Sequence, residues 1–168
     1  MEIRRATIAD APALARVHVA AWRSAYVGVM PDAYLADLDE ARFSRAWVSS
    51  LEDRVATTLV GISNDGRVEG FASAGPARDK VPGVTGELWA LNLHPVAIGS
   101  GLAMPLHRAA LDSLAGAGHA SVYLWVARDN PRARRFYQRE GWTADGATQI
   151  SEYGGAPLHE VRYVRGVL

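Results

Sequence analysis

Residues 91–111, LNLHPVAIGSGLAMPLHRAAL, run from an apolar strand through His94-Pro95 and two glycines into a helix expected from about 101 to 116. A strand that ends at a proline and enters a helix through Gly99 and Gly101 makes one of two things. It is either a tight structural turn or a cradle of backbone N–H groups. The first turn of a helix carries unpaired N–H groups and the positive end of the helix dipole, so glycines there let an anion approach the backbone. The stretch is not a P-loop, because no Gly-Lys-Ser/Thr follows at the required spacing. Nor is it a dinucleotide fingerprint: Met104 stands where a third small residue belongs, and no acidic residue follows about 20 positions on.

Outward from the turn, hydrophobic period and turn residues divide the chain. Residues 1–6 read as a strand, and Thr7 with Asp10 resembles a capping box opening a helix that carries Leu14, Val17, Ala21 and Trp22. Helices are expected over 31–38 and 40–52. Strands are expected over 55–62 and 67–75 around the hairpin turn Asn64-Asp65-Gly66, then a loop over 76–85 and a strand over 87–93. A buried strand follows at 120–127. Asn130-Pro131 caps a helix that Gly141 ends, and two last strands lie near 142–150 and 157–166. This order predicts one α/β domain spanning residues 1–168.

Composition narrows the class. Lys plus Arg equal Asp plus Glu, 18 each, so no net field draws the chain to nucleic acid or to anionic membrane. The absence of Cys excludes disulfides, thiolate metal sites and a Cys nucleophile, and no metal is expected. The charged opening MEIRRATIAD is unlike a signal peptide and no window has the apolar length of a membrane span, so a soluble, cytoplasmic protein is expected.

The run Glu87-Leu-Trp-Ala-Leu-Asn-Leu-His94-Pro95 followed by Gly99-Ser100-Gly101-Leu102-Ala103 resembles the acetyl-CoA signature of the GNAT superfamily of N-acetyltransferases. A second motif of that family is matched by Asn130, Ala133, Phe136-Tyr137 and Gly141-Trp142, and the opening IRRATIADAPAL and AWRSAYVGVMP are similar to its N-terminus. The resemblance covers nearly the whole chain. It implies a mixed, mostly antiparallel sheet of about seven strands, flanked by helices and splayed at the cofactor site. It also implies acetyl transfer from acetyl-CoA to a primary amine, on a small molecule or a peptide, with no metal, and it leaves room for a homodimer. Two residues depart from the pattern. Ile98 replaces the usual Arg or Gln, and Pro105 falls in the early helix, where a start at 100 or 101 predicts a kink.

Acyl transfer from a thioester needs a neutral amine, a polarised carbonyl and a proton for the leaving thiolate. Glu87, a lone acid in an apolar strand, is the candidate proton acceptor, with His94 a weaker one. Tyr137 is the candidate acid, since a phenol stays protonated at pH 7 yet can donate to a thiolate. By resemblance, the backbone of Leu91 and Leu93 and the turn residues Gly99, Ser100, Gly101, Leu102 and Ala103 bind the cofactor, with Asn130 near its pantetheine arm. Among five arginines in 128–140, Arg134 or Arg135 is the expected phosphate ligand. Trp22 and Tyr26 on the first helix, with Glu152 and Tyr153 before the Gly154-Gly155 turn, are expected to form the acceptor pocket. Because Ile98 weakens the signature, a non-catalytic acyl-CoA-binding module on the same fold is the alternative reading.

Overall fold

Side-chain alternation decides where the layers lie. In β2 (Thr57–Ile62) and β3 (Val68–Val81), Leu59, Ala72 and Ala74 belong to one core and Val60 and Phe71 to another, on opposite faces of the sheet. The first core packs against α4 (Ala103–Gly116) and α5 (Pro131–Arg139); the second packs against α1 (Ala11–Ala25) and α3 (Glu40–Asp53). A third apolar cluster joins α1 and the short α2 (Asp32–Ala36) to Ala127 and Leu158. These elements come from a computed structural model that describes residues 1–167.

The remaining strands are β1 (Glu2–Arg5), β4 (Val84–Leu93), β5 (Ser121–Ala127), β6 (Thr143–Tyr153) and β7 (Ala156–Gly166). They complete a seven-stranded sheet in the order β1-β2-β3-β4-β5-β7-β6. Every neighbouring pair is antiparallel except β4 and β5, which run parallel. The mixed, mostly antiparallel sheet flanked by helices is the one expected. The capping box is present too: Asp10 accepts from the Thr7 N–H at 2.7 Å and takes a two-pronged contact from Arg4 at 2.8 and 2.9 Å.

Two local expectations are corrected. Residues 76–85 are not a loop, because β3 and β4 continue as a hairpin to Val81 and Val84, turning at Pro82-Gly83. Its polar residues hid the strand, and they do so for a reason: the register is broken between Pro76 and Val81, which carries Arg78 back over the sheet. Pro105 does not kink α4. The helix begins at Ala103, so Pro105 sits in the first turn, where its missing N–H would have had no partner.

Two histidines are folded in uncharged. His18 lies among the rings of Trp22, Phe43, Trp47 and Phe71, and neither of its nitrogens has a hydrogen-bond partner. His107 is buried in α4, its Nε2 accepting from Trp142 Nε1 at 2.8 Å. Burial lowers each pKa to about 4. The unfolded chain protonates both near pH 6.5, so it binds more protons than the native state between pH 6.5 and 4, and stability falls as pH falls through that window. Each histidine contributes at most about 1.4 kcal/mol per pH unit. Urea unfolding at pH 7.5, 6 and 5 is expected to show this decline, and His18→Phe to remove roughly half of the slope; a flat profile contradicts it.

Candidate active site

Two backbone irregularities open the sheet at one place. β4 and β5 pair only at Gly86 with Val122 and Glu87 with Tyr123, after which they part. On its other edge, β4 carries a bulge at Trp89, between the rungs Ala74–Leu88 and Ser73–Ala90. The last rung before the fork is tied by side chains. Glu87 is 1% exposed and accepts from the Tyr123 hydroxyl at 2.7 Å, from Arg78 Nε at 3.0 Å and from the Arg78 backbone N–H at 3.0 Å. The second Glu87 oxygen takes the other arm of the guanidinium. Burial, followed by the bond to Glu87, raises the Tyr123 pKa well above the usual phenol range.

Beyond the fork, the β4 backbone is free on one edge. The His94 N–H donates to Glu69 O on β3 at 2.8 Å. Backbone direction alternates by two along this regular stretch, so the N–H groups of Leu91 and Leu93 face the opposite edge, into the gap. A cavity of about 480 Å³ continues from there along Ile98, Gly99, Gly101 and Ala103 to α5. Gly99 and Gly101 have φ of +83° and +87°, a conformation that other residues reach only at a cost, and a Cβ at either would meet nothing within 4 Å. Both glycines are therefore required by the turn, and the space above them is open. Among the described residues, the amides of Gly101, Ala103 and Met104 have no acceptor in the protein; the last two belong to the first turn of α4.

A second cavity of about 560 Å³ lies in the fork, between β4 and β5, and shares Ala25, Leu91, Asn92, Asn130, Ala133 and Tyr137 with the first. Asn130 caps α5, its Oδ1 accepting from the Ala133 N–H at 3.1 Å. Tyr137 is 8% exposed, and its hydroxyl has no partner among the described residues. Burial, then the nearby Tyr26 hydroxyl, raises its pKa beyond the ordinary phenol range, so it is a donor at neutral pH. Trp22, Tyr26 and Tyr153 come together as expected. Trp22 meets Tyr26 and Tyr153 edge to face, at 5.3 and 5.2 Å between centroids.

Other expected residues fall elsewhere. Arg134 is spent on the Tyr163 hydroxyl (3.2 Å) and the Arg128 carbonyl (3.1 Å), and Arg135 is exposed away from both cavities. The helical repeat turns Arg132, Ala133, Phe136 and Tyr137 inward, so Arg132 and Arg139 are the arginines that line the first cavity. Leu102 is a core side chain whose N–H donates to Ser100 Oγ at 3.3 Å, and neither residue lines that cavity. Glu152 is exposed between Ser151 and Tyr153, both of which line the second cavity, so strand alternation puts Glu152 on the outer face. The carboxylates that do line it, besides Glu87, are Asp79 and Glu160. His94 lines neither cavity; its Nδ1 sits 3.6 Å from Glu69.

Among the described residues no helix is long and apolar enough to cross a membrane, and no group of three or more His, Asp or Glu is placed to hold a metal ion.

The forked parallel pair thus has a glycine turn on one side and an aromatic-lined cavity on the other. The chain belongs to the Acetyltransferase (GNAT) family, whose model matches residues 18–142. It is 33% identical over 136 residues to the uncharacterized N-acetyltransferase YuaI of Bacillus subtilis, covering 81% of this chain and 76% of that one. It is 32% identical over 169 residues to the mycothiol acetyltransferase of Mycobacteroides abscessus, covering 92% of this chain but 55% of the longer relative. Its fold matches the PaiA N-acetyltransferase of Thermoplasma acidophilum in complex with coenzyme A (TM-score 0.74, 18% identity, 98% of each chain). It also matches YncA of Salmonella typhimurium with its cofactor acetyl-CoA (TM-score 0.74, 21% identity, 100% of this chain and 94% of that one).

Gly101→Val forces a branched side chain into the left-handed region, at about 1–2 kcal/mol of strain, and fills the space over the turn. Calorimetric titration is expected to show acetyl-CoA affinity lowered at least tenfold. Gly116→Ala, at the far end of the same helix, leaves affinity unchanged; equal affinity in both variants contradicts the cradle.

Proposed function

We propose that this cleft transfers an acetyl group from acetyl-CoA to a primary amine by direct attack, with both substrates bound at once. The observation that carries the reading is the Tyr137 hydroxyl, without a partner in the protein, on the wall common to both cavities. The free amides of Leu91 and Leu93 border the same gap.

The first cavity would take acetyl-CoA, which supplies the acetyl group as a thioester. The open glycine turn and the unpaired amides of Gly101, Ala103 and Met104 would hold the pyrophosphate. Arg132 and Arg139, on the same wall, would supply the positive charge that Ile98 does not. Ile98 is 38% exposed and lines that cavity, which keeps the binding-module alternative specific: it predicts acetyl-CoA binding without turnover. The Leu91 and Leu93 amides would pair with the pantetheine arm, and Leu93 N–H would donate to the carbonyl oxygen as charge develops on it.

The acceptor arrives as an ammonium, which at pH 7 lies roughly 4–5 kcal/mol from its free base. It gives up two protons in all. One goes to water in the open cleft. The other leaves as the C–N bond forms and the C–S bond breaks, and it restores Tyr137 after that hydroxyl has protonated the departing sulfur. Glu87, expected as the proton acceptor, has both oxygens occupied by Arg78 and Tyr123, so its role is to hold the fork.

Tyr137→Phe keeps the ring and removes the proton. It is expected to lower kcat about 100-fold or more with an accepted amine, while acetyl-CoA affinity measured by calorimetry stays within twofold. A kcat within twofold of the parent assigns the proton elsewhere.

A further inference from the structure

The second cavity is more specific than a generic amine site, and Glu160 is the reason. Glu160 lies on β7 in the row Ala127–Glu160–Gln149, at the end of β5 just before the chain turns into α5. One of its oxygens accepts from Gln149 Nε2 and from Ser151 Oγ, both at 2.8 Å. The other has no donor among the described residues, and the residue lines the cavity. Both donors are neutral, so no paired cation offsets this carboxylate, and its second oxygen is presented in a fixed direction.

The surroundings complete the case. The rings of Trp22, Tyr26 and Tyr153 line the same cavity, and the Glu160 charge reaches the Tyr26 and Tyr153 hydroxyls. The cavity's one cation, Arg78, is consumed by Glu87. Asp79 takes Trp125 Nε1 at 2.8 Å and stands exposed at the rim. Arg162, next on the same face of β7, is bound to Asp145 at 2.8 Å. His18 is neutral. The net lining charge is therefore negative, with Glu160 as its half-buried focus between aromatic faces, which is the environment that binds an organic cation.

We propose that Glu160 is the acceptor-binding residue, and that the acceptor is a cationic primary amine with an aromatic or apolar body and no carboxylate beside the amine. Its ammonium docks on the free Glu160 oxygen between Trp22, Tyr26 and Tyr153. A carboxylate on the carbon bearing the amine would lie against Glu160 without a free cation to meet it. This proposal rests on the acetyltransferase reading above.

The test compares 2-phenylethylamine with phenylalanine, which differ by that one carboxylate, using acetyl-CoA and the parent protein. The expected result is a kcat/KM at least 100-fold higher for 2-phenylethylamine. Glu160→Gln, which keeps the bonds from Gln149 and Ser151, is expected to raise KM for 2-phenylethylamine at least tenfold with kcat within about threefold. Acetyl-CoA affinity and thermal unfolding stay unchanged. Equal use of the two amines, an unchanged KM in Glu160→Gln, or acetylation of neither by a protein that binds acetyl-CoA overturns the proposal. Failure of the parent protein to bind acetyl-CoA overturns the acetyltransferase reading, and the proposal with it.

Discussion

The fork between β4 and β5 depends on one buried knot. Glu87 and Tyr123 form the last rung of the pair, and the phenol, the carboxylate and the Arg78 guanidinium close on one another there. A buried carboxylate without partners would cost several kcal/mol, so the knot holds only with all its donors in place. It explains why the register of β3 breaks after Pro76, since without that irregularity Arg78 could not fold back over Glu87. It also sets where pairing stops. Past it, the bulge at Trp89 bends β4 and leaves the Leu91 and Leu93 amides facing a gap. Both cavities exist because the strands part there.

The two sides of the gap carry opposite charge although the chain as a whole is neutral. One cavity has Arg132 and Arg139 against Glu140, with the amide-rich end of α4; the other has Asp79 and Glu160 beyond the internally paired Arg78–Glu87. An anionic donor and a cationic acceptor would each be attracted to its own mouth and repelled from the other's. Tyr137 and Asn130 stand on the wall between them, fixed by α5 and by the cap that Asn130 provides.

Much of the first cavity's lining was legible in the sequence because it is written in local chemistry. Gly99 and Gly101 sit at positive φ, Asn130-Pro131 is a helix start, and Tyr137 follows from helical spacing once that start is placed. The lining of the second cavity depends on pairings between distant strands. Glu160 faces inward and Glu152 outward by register, and a one-residue difference in where β6 begins would reverse that reading. The 76–85 hairpin looks like a loop in sequence because its polar side chains serve a long-range ion pair rather than a core. Arg134 and Arg132 differ by two positions on α5, and only the packing of that helix on β7 separates them.

On the proposed reading, the edge of β4 freed by the fork binds the acyl donor through its backbone. Amide hydrogen exchange resolved by residue, with and without acetyl-CoA, tests it most directly. Acetyl-CoA is expected to slow exchange at Leu91 and Leu93 and at Gly101, Ala103 and Met104, amides that have no strand or helix partner of their own. The His94 amide, already bonded to Glu69, is expected to change little. Saturation with acetyl-CoA that leaves Leu91, Leu93 and the turn exchanging as before would mean that the donor binds elsewhere.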